Sequence, residues 1–452
     1  MNSPSTPFVR VVVLNFDGGQ MTLDCLDSLL ASEWPADRFE IVLVDNGSLD
    51  DVAARVTAQY PTVRLLEPLA NLGFAGGCNL GMRAPGHYDL VALVNNDATV
   101  HPDWLAPLVA TVTSADGVGA ACAKMLFADR FLGIDFDVAT PTRESRGTPV
   151  PRVQVTAVRI DGRRADSRLA FDEGFFATPP NGVDPDDEIV YSSPVGGSLR
   201  IAVVPGEPLP TTVELRLAAA RPETVTITSG AESRVVQIGS VPVWVELALG
   251  GEPFDVINNA GSNLYRGGFG GDRGFLERDH GQYDAPAEVF AWCGGAVLLR
   301  RDYLDAVGMF DERLFLYYED TDLSWRGRLH GWRYLYEPRS LVRHRHAASS
   351  QVGSDVFRFH TERNRLLVLA KNGPARVALR AGLGEARRWV RAMLSAWVVS
   401  PLRLRMPERT YSGHRTRVFA GYLRLLPPML LARWRMHPRV RRRSLAVWEV
   451  TK

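Results

Sequence analysis

Three short polar clusters, a glycine-rich stretch and one acidic segment carry groups that could do chemistry. Asn15 and Asp17 follow the apolar run Val9–Leu14, Asp45-Asn46-Gly47-Ser48 follows Phe39–Val44, and Asn95-Asn96-Asp97 follows Leu90–Val94. Between them lies the glycine-rich stretch Asn71–Gly81, and much later Tyr317–Asp322 sets Glu319, Asp320 and Asp322 within four residues. A carboxylate at a strand end, such as Asp45, can accept hydrogen bonds from a nucleobase or ribose, or it can cap the next turn with Ser48. Glycines at a helix start let backbone N–H groups approach a diphosphate, though the same run also makes a plain tight turn. Asn95-Asn96-Asp97 offers the oxygen ligands that Mg²⁺ or Mn²⁺ prefer, and it also suits a turn. Three crowded carboxylates repel one another and are best tolerated near a metal, an arginine or solvent, the last being an ordinary helix start. His344 and His346 could ligate a metal, bind phosphate, or lie on the surface.

The elements that must position these groups are legible as a rhythm. Val9–Leu14, Phe39–Val44, Val63–Leu66 and Leu90–Val94 read as strands buried on both faces. Helical spacing fills Thr22–Ala31 and Asp50–Tyr60, and another helix follows Asn71. Alternating strands and helices predict a parallel sheet with helices on both faces, whose ligands bind beyond the carboxyl ends of the strands. The polar clusters fall there. From about Phe127 to Asp255 prolines multiply and short alternating runs appear, predicting an inserted antiparallel β-sandwich. The α/β texture returns near Val256. After Lys371 the chain is helical and arginine-rich, with breaks expected at Pro401, Pro407, Pro427 and Pro428.

The chain has 452 residues, 46% apolar and 23% charged, which fits two or three globular domains and excludes a mainly disordered or fibrous chain. No apolar run reaches the roughly 18 residues of a membrane span. Met1–Pro7 lacks the succession of a secretory signal. Four scattered cysteines without a CxxC pair speak against structural zinc or a disulfide framework and fit a reducing compartment. The net charge of +1 conceals an asymmetry: Ala375–Lys452 holds 17 Arg and one Lys against three Glu, or +15, leaving 1 − 15 = −14 for the rest. Only three lysines occur, so arginine supplies nearly all the positive charge, as a GC-rich coding sequence would produce.

Taken in order, the segments VVVLNFDGG, IVLVDNGSLDD, NLGFAGGCNLG, LVNNDATV, CGGAVLLRR, VGMFDERLFLYYEDTDLSWRGRLHGW and PRSLVRH resemble the inverting family-2 glycosyltransferases of GT-A fold. The resemblance is particularly to bacterial rhamnosyltransferase-like and galactofuranosyltransferase-like members. The resemblance covers roughly residues 8–127 and 256–372 and implies an α/β nucleotide-diphospho-sugar transferase fold. The expected divisions are 1–127 for donor binding, a β-rich insert at 128–255, an acceptor and catalytic half at 256–372, and a helical arginine-rich region at 373–452. Asn15, Asp17, Asp45, Asn71, Gly73, Asn79, Asn95 and Asn96 would form the donor pocket. Asp97 would be the ligand of a divalent cation, Mn²⁺ or Mg²⁺, with His344 completing its shell. Trp292, Gly294 and Gly295 would line the donor sugar and acceptor, and Asp320 would be the general base, with Glu319 beside it. The mechanism implied is a single displacement that inverts the anomeric centre, serving a glycan or lipid-linked acceptor in cell-envelope polysaccharide synthesis.

Two features depart from that family pattern. Asn95 stands where a first metal-motif carboxylate is expected, and Asp97 to Gly294 spans 294 − 97 = 197 residues because of the insert. The insert could bind a polysaccharide acceptor, mediate assembly, or decorate the fold. Residues 375–452, and Val418–Arg435 in particular, mix apolar residues with arginines in a way that suits the cytoplasmic face of an anionic membrane, or a helical subdomain packed on the core. Nucleic-acid binding lacks a recognisable module. A dinucleotide-dependent dehydrogenase fails on placement, since the first strand carries no GxGxxG. The rival from another class is a catalytically degenerate sugar-binding scaffold, which the retained Asp97, Asp320 and His344 oppose.

Overall fold

The computed structural model describes residues 6–138, 152–164, 168–171, 174–177, 191–204, 206–345, 354–399 and 409–449. Two compact units emerge. One comprises Met1–Ala128, Asn258–Phe275 and Gly281–Lys452, and the other Asp129–Ile257 with Leu276–His280.

The first unit is built on a mixed sheet. From one edge its strands run Ala287–Val289, Arg333–His344, Val118–Phe127, Ala296–Arg300, Leu90–Asn95, Val9–Asn15, Phe39–Asp45 and Val63–Leu66. Val9–Asn15 lies at the centre of a parallel block, paired with Phe39–Asp45 on one side and Leu90–Asn95 on the other. Its continuous valine run suits that place, because helices cover both faces. Leu23, Leu26, Leu29 and Trp104 pack with Val9, Val11 and Val13 on one face, and Val42, Val44 and Ala84 form the cluster on the other. The one charged residue in the strand, Arg10, is fully buried. It pairs with Glu40 at 2.6 Å and donates to the carbonyls of Met82 and Ala84.

Beyond Leu90–Asn95 the sheet changes direction. Ala296–Arg300 inserts antiparallel between Leu90–Asn95 and Val118–Phe127, and Arg333–His344 then pairs parallel with Val118–Phe127. This arrangement brings a loop from late in the chain against the end of an early strand: Asn95 N–H donates to the Gly295 carbonyl at 3.0 Å.

The second unit holds two antiparallel sheets. One is ordered Leu169–Phe171, Gly196–Val203, Arg130–Val138, Glu223–Ser229, Glu232–Ile238; the other Phe176–Ala177, Tyr191–Ser193, Val153–Ile160, Thr212–Ala218, Val243–Ala248. Inward residues of both sheets, among them Phe136, Leu199, Ile227, Val155, Leu215 and Leu247, share one core, as alternating strands of a sandwich require. The strands Val153–Ile160, Thr212–Ala218 and Glu223–Ser229 fall among the short alternating runs of this region, as does Arg130–Val138.

The C-terminal helices are Asp355–Asn372, Ala375–Leu394, Arg409–Arg435, Pro438–Arg442 and Ser444–Glu449. Pro401 and Pro407 lie outside the described residues. Pro427 and Pro428 were expected to break the chain, yet Arg409–Arg435 runs through them. Each internal proline costs a helix about 3 kcal/mol. Burial of Phe419, Tyr422, Leu425, Leu426 and Met429 against Leu366–Leu369 offsets that cost, and the Pro428 carbonyl accepts from Arg313 Nη1 at 2.9 Å.

Candidate active site

The parallel block places Asn15 and Asp45 side by side in register at its carboxyl end, with Asn95 opposite Leu14, one residue before them. Asn15 is fully buried and organises this floor. Its Nδ2 donates to Asp45 Oδ1 at 2.9 Å and to Ser48 Oγ at 3.0 Å, while its Oδ1 accepts from Gly18 N–H, Thr22 Oγ1 and Asn96 Nδ2. Ser48 also donates to Asp45. Asp17 is exposed, takes a left-handed backbone (φ 51°) and accepts from Leu49 N–H at 2.6 Å. Turn-capping and site-forming, the two readings of Asp45 and Ser48, therefore coexist in one network.

The glycine-rich stretch serves packing more than anion binding. A Cβ on Gly77 would meet Leu14 at 2.3 Å, and one on Gly81 would meet Val12 at 2.4 Å, so these glycines let helix Gly73–Met82 lie close on the central strand. Three N–H groups of its first turn are already occupied: Leu72 donates to Asn46 Oδ1, Gly73 to Asn71 Oδ1 and Ala75 to the Phe315 carbonyl. Asn79 likewise does not face a pocket. Fully buried, it clamps Phe310 through both N–H and C=O and donates to Glu312. Gly73 has φ 71°, and its missing Cβ leaves room for Phe315, 2.5 Å from where that atom would be. The early half of the sequence thus positions the late acidic loop directly.

Asp97 and His344 meet from opposite ends of the chain. His344 Nε2 lies 2.9 Å from Asp97 Oδ1 and 3.2 Å from Asn95 Nδ2, and its Nδ1 lies 3.1 Å from Asn258 Oδ1. When Nδ1–H donates to Asn258, Nε2 is the nitrogen that could share a cation with Asp97. Two adjacent ligands of an octahedral ion at about 2.1 Å stand about 3 Å apart, so this pair fits a Mg²⁺- or Mn²⁺-sized ion. Among the described residues no group of three or more His, Cys, Asp or Glu is gathered to hold a metal. His346 lies outside the described residues.

The acidic segment splits into three environments. Asp322 is fully buried and structural: Lys371 Nζ, Arg326 Nε and Asn372 Nδ2 all donate to it at 2.8 Å. Those cations hold its carboxyl below the usual range despite burial. Glu319 is buried toward Cys78, and its Oε2 has no hydrogen-bond partner; burial first, then the Asp320 charge, push its pKa well up. It does not share Asp320's surroundings. Asp320 keeps part of its surface open while surrounding atoms raise its pKa to about 6, an effect that Asp272 adds to and N–H donors from Thr321 and Gly294 oppose. Thr321 N–H donates to Asp320 Oδ1 at 2.5 Å.

The loop leading to Asp320 is strained. Phe315, Tyr317 and Tyr318 have φ of 68°, 64° and 71°, a region that costs non-glycine residues about 1–3 kcal/mol each. The fully buried Asn364 compensates, its Nδ2 facing the carbonyls of Leu314, Leu316 and Tyr317 at 2.9, 2.9 and 2.7 Å. Gly294 lies beside Asp320 and Gly295 against Asn95. Trp292 does not line a cleft: it has no exposed surface and packs on Phe310 at 6.0 Å.

Sequence reading missed Asp272. It sits on the hairpin Ser262–Tyr265/Phe269–Asp272 and accepts from Asn259 Nδ2 at 2.6 Å and Ser262 Oγ at 3.1 Å. Surrounding mass raises its pKa although its outer edge meets solvent. A lone aspartate closing the Gly267–Gly274 stretch was the available signal. Asn364, inside an ordinary helix, offered none.

The chain is similar in sequence to known proteins. The profile described as glycosyl transferase family 2 matches residues 10–130, which contain all of the strand-end residues and Asp97 but neither Asp320 nor His344. Glycosyltransferase AglE of Haloferax volcanii is 26% identical over 118 residues, 25% of this chain and 38% of that protein. An N-acetylglucosaminyl-diphospho-decaprenol L-rhamnosyltransferase of Mycobacterium tuberculosis is 45% identical over 60 residues, 13% of this chain and 20% of its own. The similarity thus spans well under half the length of these relatives. Among solved structures, GalNAc-T7 with UDP, GalNAc and Mn²⁺ covers 96% of this chain and 59% of its own at 12% identity and a TM-score of 0.43. The mannosyltransferase PcManGT of Pyrobaculum calidifontis with GDP-Man and Mn²⁺ covers 94% and 88% at 15% identity and a TM-score of 0.40. With the strand-end site and the sheet that carries it in place, residues 10–130 are a glycosyl transferase family 2 domain.

Proposed function

We propose that the protein is an inverting glycosyltransferase that moves a sugar from a nucleotide-diphospho-sugar to a glycan or lipid-linked acceptor in cell-envelope polysaccharide synthesis. The single observation that carries this reading is Asp320: a partly open carboxylate with pKa near 6, held by a strained loop against the Gly294 turn. A base of that pKa is ionised at neutral pH yet basic enough to take a proton in the transition state.

The donor nucleotide lies over the strand ends, met by the Asn15–Asp45–Ser48 network and by Asp17. Asp320 removes the proton from an acceptor hydroxyl as that oxygen bonds to the anomeric carbon. The bond from that carbon to the diphosphate oxygen breaks on the opposite face, so configuration inverts in one displacement. Asp97 and His344 would hold a divalent cation, which when bound supplies charge neutralisation to the departing diphosphate. Asn258, at His344 Nδ1, would orient the ring, and Asn95 supplies no anionic ligand. A membrane-facing C-terminal region would bring the site to a lipid-linked acceptor.

The test is a panel of nucleotide-sugars, with and without Mn²⁺ or Mg²⁺, read by thermal stability and then by turnover with NMR of the product's anomeric centre. Ligand at 100 times its dissociation constant adds about 2.7 kcal/mol. One stabilising donor and an inverted product support the reading; donor binding without turnover on any glycan or polyprenyl-diphosphate acceptor would favour the scaffold alternative.

A further inference from the structure

Helix Ala375–Leu394 and the turn Ser395–Val399 after it carry an apolar face that is exposed among the described residues. Leu379, Leu383, Val390, Leu394 and Trp397 recur at helical spacing, and each is between 43% and 64% exposed. The opposite face is packed: Glu385 and Ala392 are buried, Val377 and Ala381 join the C-terminal core, and Trp389 stacks on Phe419 at 5.3 Å. One flank of the apolar stripe carries Arg376, Arg380, Arg387 and Arg391, all exposed. None of the four forms an ion pair among the described residues, whereas Arg388, turned toward the core, pairs with Glu385. The basic, apolar-faced segment anticipated at Val418–Arg435 is different, because Phe419, Tyr422, Leu425 and Leu426 there are spent on the core.

We propose that this face of residues 375–399 is a docking surface for an anionic lipid bilayer, on which the helix lies flat. A helix with apolar side chains on one stripe and guanidinium groups along its edge matches the acyl–headgroup boundary, where leucine and tryptophan enter and arginine meets phosphate. No helix of the described residues is long and apolar enough to cross a membrane, so contact through it is superficial. A second copy of the chain is the poorer occupant, since a two-fold contact through this stripe sets the unpaired arginine rows near one another without acidic partners. The inference deepens the acceptor side of the proposed function by naming the surface at which a lipid-linked acceptor would be met, yet its test requires no turnover.

The full chain is sedimented with phosphatidylcholine vesicles and with vesicles that also contain phosphatidylglycerol, in the absence of nucleotides, at low and high salt. Wild type is expected to bind the anionic vesicles and to release as salt rises. The variant R376Q/R380Q/R387Q/R391Q should partition roughly tenfold or more less into anionic vesicles, given the attraction of each basic residue to such a surface. L379Q/L383Q/V390Q/L394Q should weaken binding comparably without the salt dependence changing. All positions are exposed, and circular dichroism verifies that each variant is folded. Wild type that stays in the supernatant, or variants that bind as well as wild type, overturn the proposal. So does a wild-type dimer that the leucine variant converts to monomer, which would assign the stripe to a second copy.

Discussion

Replacing Lys371 with methionine isolates what anchors the acidic helix. The Lys371 side chain is 5% exposed and donates to Asp311 at 2.6 Å and to Asp322 at 2.8 Å, joining helix Asp355–Asn372 to helix Glu319–His330. Methionine keeps the length and apolar stem and removes only the charge. Removing one partner of a buried ion pair typically costs about 3–5 kcal/mol, because the other charge is stranded. Arg313 still serves Asp311, and Arg326 and Asn372 still serve Asp322, so the lower end, about 3 kcal/mol, is expected. The pH dependence has a definite sign. Both carboxyls are held below their ordinary range, so their contribution to stability is present above the unfolded pKa and is lost as pH falls through the folded value. Without Lys371 that contribution shrinks, so the gap between wild type and variant is full at pH 7 and narrows below about pH 4. Urea denaturation of both proteins at several pH values measures it, and Asp322→Asn in the variant background should recover part of the loss. A gap under about 1 kcal/mol at pH 7, or one unchanged at low pH, would refute a charge-based anchor.

Three further perturbations probe the site. Gly73→Ala forces a Cβ into Phe315 at a positive φ, and is expected to destabilise by at least about 1–2 kcal/mol and to lower kcat by displacing the Asp320 loop, as melting and turnover would reveal. His344→Ala should abolish the extra thermal stabilisation that Mn²⁺ gives in the presence of donor while leaving the metal-free donor shift largely intact. Asp272→Asn removes a like charge near Asp320, so the acidic limb of the rate–pH profile should move to lower pH, alongside a higher KM for acceptor; an unmoved limb would count against their proximity.

The sequence made the sheet readable because its strands are buried on both faces and leave unbroken apolar runs. Its polar strand ends were legible for the same reason, since Asn15, Asp45 and Asn95 interrupt those runs at one edge. Side-chain direction was not. Glu319, Asp320 and Asp322 occupy one helical turn, yet they reach three different surroundings: a buried recess near Cys78, a partly open place beside Gly294, and a cationic core. Asn79 and Trp292 had the composition of pocket residues, but packing between distant segments decided their roles. The insertion of Ala296–Arg300 beside Leu90–Asn95 is a long-range event, and it alone explains why Gly295 meets Asn95. Likewise Lys371 stood out only as one of three lysines, and its buried partners appear once the two helices are packed.

The central claim is that Asp320 removes the acceptor proton, and Asp320→Asn tests it most directly. Asparagine preserves shape and hydrogen bonding but cannot accept the proton. With the donor identified by the stability panel, the account predicts that wild-type turnover rises with pH through a midpoint near 6. The variant should lose about 10²–10⁴-fold in kcat with donor affinity unchanged. A variant that transfers sugar at the wild-type rate, with the same acidic limb, would contradict it.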